Sequence, residues 1–146
     1  MSSVKIKRVS KHKLRAIVGG SFEGDNELID KYHSVGISKE ASINETMKRI
    51  DDISNMHKCC FFDVRFCGKS IGYFVTFDNF LFSFCINIRY RKNDILIAWW
   101  YLVKKELGEN FGTMLFNKNE RAIDFLKRHG MKVFKKDTET TILISK

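Results

Sequence analysis

Between Phe80 and Phe134 the chain passes through an apolar strand pattern (Phe80 to Ile88), a basic turn (Arg89, Tyr90, Arg91, Lys92, Asn93), an apolar helical pattern and a second strand pattern (Phe111 to Phe116). No other feature constrains the fold as much. Two strands joined through a helix that pair with each other do so in parallel, by a right-handed crossover. The turn before the helix has a chemical consequence as well, because unpaired backbone N–H groups and the helix dipole both favour an anion there. A phosphorylated cofactor is the expected occupant.

Bulk properties narrow the classes. At 146 residues the chain is the length of one ordinary domain, so residues 1–146 are expected to form a single domain with one sizeable core. The 44% apolar and 13% aromatic content excludes a disordered chain despite 29% charged residues. Net charge is +9, from 26 Lys and Arg against 17 Asp and Glu, a balance that favours anionic partners: nucleic acid, an acidic membrane surface or an anionic cofactor. The densest cluster is Lys5, Lys7, Arg8, Lys11, Lys13 and Arg15, interleaved with Val4, Ile6, Val9 and Leu14. It reads either as the solvated face of a strand or as a nucleic-acid arm.

Cys59, Cys60, Cys67 and Cys85 lie among hydrophobic residues without C-x-x-C spacing, and read as reduced, partly buried thiols. A zinc site from His57, Cys59, Cys60 and Cys67 matches no common ligand spacing, so no metal is expected. The N-terminus carries charge with no apolar stretch behind it, unlike a signal peptide, which makes the cytoplasm the expected location. Ile95 to Val103 is a run of nine apolar or aromatic residues, far short of the ~20 that span a bilayer. It is expected to be a buried helix, with no membrane partner.

The chain has no proline, so glycine, asparagine and aspartate punctuate it. Gly19-Gly20 and Gly24-Asp25-Asn26 are expected to separate the basic N-terminal strand from a helix carrying Leu28, Ile29, Tyr32 and His33. A second helix is expected from Ser42, where Ser42-Ile43-Asn44-Glu45 has the form of a capping box, through Met47, Ile50 and Ile53. From Cys59 the period becomes extended: Cys59 to Phe66, Ile71 to Phe77 and Phe80 to Ile88 read as an antiparallel meander, with turns at Cys67-Gly68-Lys69 and Asp78-Asn79. Strict alternation puts Leu81, Ser83, Cys85 and Asn87 on one face of the third strand, and Phe80, Phe82, Phe84, Ile86 and Ile88 on the other.

The following helix is expected to be capped by Asn93 or Asp94, to bury Ile95, Trp99, Leu102 and Val103, and to stop at Gly108. Trp99 and Trp100 diverge by about 100° around it, so at least one belongs to the core. After the strand Phe111 to Phe116 comes a helix capped near Asn119, with Ala122, Ile123, Phe125 and Leu126 inward and Gly130 as its stop. Strands Met131 to Phe134 and Thr140 to Ile144 complete the sheet.

This order resembles the GNAT-type N-acetyltransferases over nearly the whole chain. The segment Asn119-Glu120-Arg121-Ala122-Ile123-Asp124-Phe125-Leu126-Lys127-Arg128-His129-Gly130-Met131 is similar to the family's N-x-x-A-x-x-F-Y-x-x-x-G-F. Ile86-Asn87-Ile88 to Arg91-Lys92-Asn93 resembles the end of its fourth strand and its cofactor turn, and the overall character is nearest to short members from bacteria and their phages. The resemblance implies an α/β (α+β) fold with a mixed, mostly antiparallel sheet flanked by helices and one parallel pair joined by a helical crossover. It also implies that the fourth and fifth strands splay apart to take acetyl-CoA, whose binding residues would be Asn87, Ile88, Arg89, Arg91, Lys92, Asn93, Asp94 and Asn119.

The sequence departs from the family's chemistry at named positions. The pyrophosphate loop Q/R-x-x-G-x-G/A is represented by Arg91-Lys92-Asn93-Asp94-Ile95-Leu96, which keeps the arginine and lacks both glycines. Glycine admits phosphate oxygens to the backbone N–H groups. Asp94 adds a like charge worth on the order of 1 to 4 kcal/mol at ~4 Å, or else it caps the helix. The tyrosine that protonates the leaving thiolate in many members is Leu126 here, and the fourth strand offers Ser83, Cys85 and Asn87 in place of a carboxylate base. Water, His33 and Tyr90 remain as proton carriers, against ordinary roles as a helix-face histidine and a packed aromatic; Cys85 has the alternative of a core thiol. Asn119 has two compatible roles, cofactor contact and N-cap.

No P-loop, G-x-S-x-G, H-E-x-x-H or dinucleotide fingerprint is present. Three functions are consistent with the residues. The first is an N-acyltransferase that uses acetyl-CoA on an amine bound near the N-terminal helices. The second is a fold relative without catalysis, serving as a binding or structural module, for example in a phage. The third is a basic nucleic-acid-binding domain built on the N-terminal cluster.

Overall fold

Alternation of apolar residues produces the strands, and a computed structural model describing residues 3–25 and 38–145 assembles seven of them into one sheet in the order β1-β2-β3-β4-β5-β7-β6. They are β1 (Val4–Val9), β2 (Cys59–Phe66), β3 (Lys69–Phe77), β4 (Phe80–Ile86), β5 (Gly112–Phe116), β6 (Met131–Lys136) and β7 (Thr140–Ser145). The described helices are α1 (Lys11–Ser21), α2 (Lys39–Met56), α3 (Asn93–Leu107) and α4 (Glu120–Arg128), with a 3-10 turn at Ile88–Tyr90. All pairings are antiparallel except β4 with β5, the pair bridged by α3. The mixed sheet and the parallel crossover are as expected.

Each sheet face has its own core. Beneath α3 and α4 lie Phe62, Val64, Phe74, Leu81, Ile86, Trp99, Trp100, Phe125, Leu126 and Leu143. Both tryptophans are buried, Trp99 stacking on Phe84 and Trp100 meeting the edge of Phe125. Beneath α1 and α2 lie Leu14, Val18, Ile43, Met47, Ile50, Tyr73, Val75 and Cys85.

Several expectations are corrected. The basic N-terminal stretch is not all strand: it ends at Val9, Ser10 begins α1 in extended conformation, and the helix runs through Gly19-Gly20. Leu14 and Val18, one turn apart, bury completely, and Gly19 packs so close to α2 that an added Cβ would lie 3.3 Å from Ile43 Cδ1. Tertiary packing therefore outweighs the ~1 kcal/mol helix penalty of each glycine. Helix α2 is capped four residues before Ser42, by Ser38, whose hydroxyl accepts from Ala41 N at 3.1 Å. The expected helix with Leu28, Ile29, Tyr32 and His33 lies outside the described residues.

Alternation also fails in β4. Its register against β3 shifts between Val75 and Thr76, which pair with Ser83 and Leu81, so Phe82 is an extra residue in a bulge. The bulge puts Leu81 on the same face as Phe84 and Ile86, and Phe82 on the face of Cys85. The strand stops at Ile86, before the expected Ile88, because Asn87 begins the 3-10 turn. Helix α3 is capped one residue earlier than expected, at Lys92, and Gly108 (φ 84°) ends it.

Candidate active site

The parallel pair is short, and its shortness makes the site. Only Phe80 with Gly112 and Leu81 with Thr113 are paired, and Thr113 Oγ1 donates to Leu81 O at 2.8 Å where the ladder ends. Beyond that point β4 and β5 part. Two clefts flank the parting, one on the α3/α4 side and one on the α1/α2 side, and Phe84, Cys85 and Asn119 line both.

The larger cleft is about 590 Å³, within the range of small-molecule sites. Of the residues expected to bind cofactor, Ile88, Arg91, Asn93 and Asn119 line it, whereas Asn87, Arg89, Lys92 and Asp94 are not among the lining residues. Asn87 is nearly buried and anchors the turn: its Nδ2 donates to Gly20 O (2.8 Å) and Glu23 O (3.1 Å), and its Oδ1 accepts from Arg89 N (3.0 Å). Asp94 Oδ1 accepts from Ile95 N at 2.9 Å, satisfying a first-turn amide that a phosphate would otherwise find open. Lys92 occupies the cap position, its carbonyl accepting from Leu96 N.

Arg91 is engaged within the protein. Its Nε donates to Ile86 O at 2.7 Å, and its Nη2 forms an ion pair with Asp25, whose side chain is 1% exposed. Removing one partner of such a pair leaves the other charge uncompensated, so Arg91 is structurally committed as well as cleft-facing. No local pattern announces this contact, which spans 66 residues of chain. Arg121 and Arg128, both exposed and seven residues apart on α4, line the same cleft. Their spacing of about two turns puts them on one side of the helix, a pattern readable in the segment that carried the family resemblance.

Asn119 stands at the N-cap of α4 but makes no side-chain capping bond; its carbonyl accepts from Ile123 N. Leu126 is 1% exposed, Phe125 is buried, and Ala122 and Ile123 are half-buried. Tyr90 is half-buried with its ring 6.2 Å from Phe66, and lines neither cleft. His33 lies outside the described residues.

The smaller cleft, about 180 Å³, opens over Ser83 and Cys85 on the side of the N-terminal helices, where an acceptor amine is expected from the sequence, but Thr46, Arg49 and Tyr73 are not among the residues expected there. Its polar groups include Thr46 and Arg49 of α2, and Tyr73 and Ser83 brought opposite each other on β3 and β4. Tyr73 Oη and Ser83 Oγ are 3.0 Å apart. Burial pushes the Tyr73 hydroxyl up, so it stays protonated. Burial also pushes the Cys85 thiol up to about 11, with Arg91 partly opposing and Asp25 reinforcing. A thiol held neutral is a poor nucleophile.

Among the described residues no group of three or more His, Cys, Asp or Glu could hold a metal ion, and no helix is long and apolar enough to cross a membrane. Neither any family model nor any curated protein matches the sequence. Solved structures do match in fold. One is the PaiA N-acetyltransferase of Thermoplasma acidophilum in complex with coenzyme A, at 17% identity and TM-score 0.65 over 99% of each chain. Another is an acetyltransferase from Thermus thermophilus, at 10% identity and TM-score 0.73 over 99% of this chain and 98% of that one. A GCN5-related N-acetyltransferase from Rhodopseudomonas palustris matches at 13% identity and TM-score 0.65, over 99% and 96%. The chain has the fold of the GNAT N-acetyltransferases.

Proposed function

We propose that this chain is an N-acyltransferase that moves an acetyl group from acetyl-CoA to an amine. The observation that carries the reading is the parting of β4 from β5 over a cleft lined by Arg91, Arg121 and Arg128. Past Leu81, no strand among the described residues lies beside β4 on the β5 side, so an extended amide-bearing chain such as pantetheine would find backbone partners there. Because Asp94 occupies a first-turn amide and Arg91 pairs with Asp25, the phosphates would rely chiefly on Arg121 and Arg128. Asn119, open to both clefts, would contact the cofactor near the reacting centre.

Reaction would proceed by direct attack. The amine lone pair forms a C–N bond at the thioester carbonyl, the C–S bond breaks, and the proton lost by nitrogen ends on the departing sulfur. Among the described residues no carboxylate lines the acceptor-side cleft, so water or the Tyr73–Ser83 hydroxyl pair would pass that proton.

Thermal unfolding with and without acetyl-CoA tests the reading. Cofactor at 100 times its dissociation constant should add ~2.7 kcal/mol, roughly 5 to 10 °C in a chain of this length. No shift at millimolar acetyl-CoA rejects it. The commitment of Arg91 to Asp25 and the burial of Leu126 favour a second reading, a cofactor-binding module without turnover. A clear shift with no thiol released from acetyl-CoA in the presence of any amine would select that one.

A further inference from the structure

The walls of the smaller cleft describe what it accepts. Arg49 reaches it from α2, half-buried, and its charge acts on the Tyr73 hydroxyl. One turn earlier, Thr46 is 2% exposed and its Oγ1 has no hydrogen-bond partner among the described residues, although it lines the same space. An unsatisfied hydroxyl in that position costs about 1 to 3 kcal/mol unless something enters to bond it. Among the described residues no Asp or Glu lines this cleft, so none of them is placed there to pair with a polyamine or a lysine-rich peptide.

We infer that the smaller cleft binds a small acceptor amine carrying an anionic group, a carboxylate or a phosphate, with Arg49 holding the anion and Thr46 donating to it. Arg49 already meets Glu45 at 3.1 Å, an i,i+4 pair on the surface of α2. Both partners are more than 40% exposed, and such a pair contributes only a few tenths of a kcal/mol. A guanidinium has five donors in a planar fork, so one carboxylate contact leaves capacity for a second anion. The volume of about 180 Å³ suits a compact headgroup and not a folded peptide. Arg49, a cation in the wall of the cleft, disfavours a second positive charge beside it and so favours the neutral amine that attacks.

This assignment rests on the acyltransferase reading, and calorimetry on the CoA-loaded protein tests it apart from that reading. The titrants are phosphoethanolamine and glycine, which carry a phosphate and a carboxylate, and ethanolamine and putrescine, which carry no anion. Phosphoethanolamine or glycine should bind at least tenfold tighter than both others; which of the two is preferred identifies the anion. Arg49→Ala should abolish the preference and Arg49→Lys should restore part of it, with the CoA-induced thermal shift unchanged in each. Thr46→Val separates binding from folding: it should raise the melting temperature, by removing the unsatisfied hydroxyl, while weakening the anionic amine several-fold. Equal binding of the monocationic ethanolamine or the dicationic putrescine, a preference that survives Arg49→Ala, or no binding of any of the four at millimolar concentration overturns the inference. If CoA itself produces no shift, the acyltransferase reading fails separately, and the same four titrations on the unloaded protein still decide the anion preference.

Discussion

Cys85 lies where both clefts meet β4, which in an acyl-transfer site invites comparison with a nucleophile. Its surroundings oppose that role. The side chain is buried, its Sγ is 3.6 Å from Ser21 O, and desolvation raises its pKa from 9.0 to about 11 despite the nearby Arg91. Because the folded state holds the proton more tightly than the unfolded chain, this contribution to stability is fully present below about pH 9. It is lost as pH rises toward 11, and is on the order of 2 to 3 kcal/mol. Cys85→Ala should therefore lose less stability than the parent between pH 9 and 11, as read from urea midpoints. Iodoacetamide at pH 8 should modify the exposed Cys67 and leave Cys85 untouched. Comparable labelling of the two, or identical pH profiles for parent and variant, would show that Cys85 is more open and more acidic than its packing implies.

Among the elements, β4 determines the site, and its geometry depends on a close approach from β3. A Cβ added to Gly72 would lie 2.4 Å from Cys85 O and 3.0 Å from Ile86 Cα, backbone atoms that cannot move aside without moving the turn. Gly72→Ala should cost about 1 to 3 kcal/mol, whereas Gly112→Ala, whose nearest atom would be Leu143 O at 3.4 Å, should be nearly neutral. Urea unfolding with unchanged m-values checks this, and equal midpoints for the two variants would refute it. Most strands, the glycine-marked ends of α3 and α4, and the parallel crossover are legible in the sequence because period and glycine stops are local properties. The bulge at Phe82 is not, since the extra residue is defined only against β3, and strict alternation assigns Leu81 to the wrong face. Helix α1 is hidden by Gly19-Gly20, a turn signal when read alone and a packing contact once Ile43 lies against it. The lining of the larger cleft is half visible, through Ile88, Arg91, Asn93 and Asn119, but pairing of Arg91 with Asp25 and convergence of Thr46, Arg49, Tyr73 and Ser83 are long-range facts that no local pattern encodes.

Across the whole molecule, the net charge of +9 is spread in a way that bears on its partners. Six of the 26 cations sit on the two edge strands, Lys5, Lys7 and Arg8 on β1 and Lys132, Lys135 and Lys136 on β6. Lysine-rich edges discourage another chain from adding a strand, a function that needs no nucleic acid. On the helices, Lys11 pairs with Asp51 at 3.0 Å and Arg15 with Glu40 at 2.7 Å, which further dilutes the N-terminal cluster as a polyanion site. Arg121 and Arg128, by contrast, face one cleft from one helix. If they replace the missing loop glycines, cofactor binding depends on exposed side-chain charge and is sensitive to salt, since the screening length falls from about 10 Å at 0.1 M to about 3 Å at 1 M. Arg121→Ala combined with Arg128→Ala should weaken CoA at least tenfold and flatten its salt dependence, while Lys5→Gln, Lys7→Gln and Arg8→Gln together should leave CoA binding unchanged. Duplex DNA at low salt provides the counter-measurement. Binding that responds to the β1 variants and not to the α4 pair would mark the edge charge as a separate polyanion surface. Loss of CoA binding through the β1 variants would mean that the cofactor is drawn by the field of the whole molecule and not by the arginines of α4.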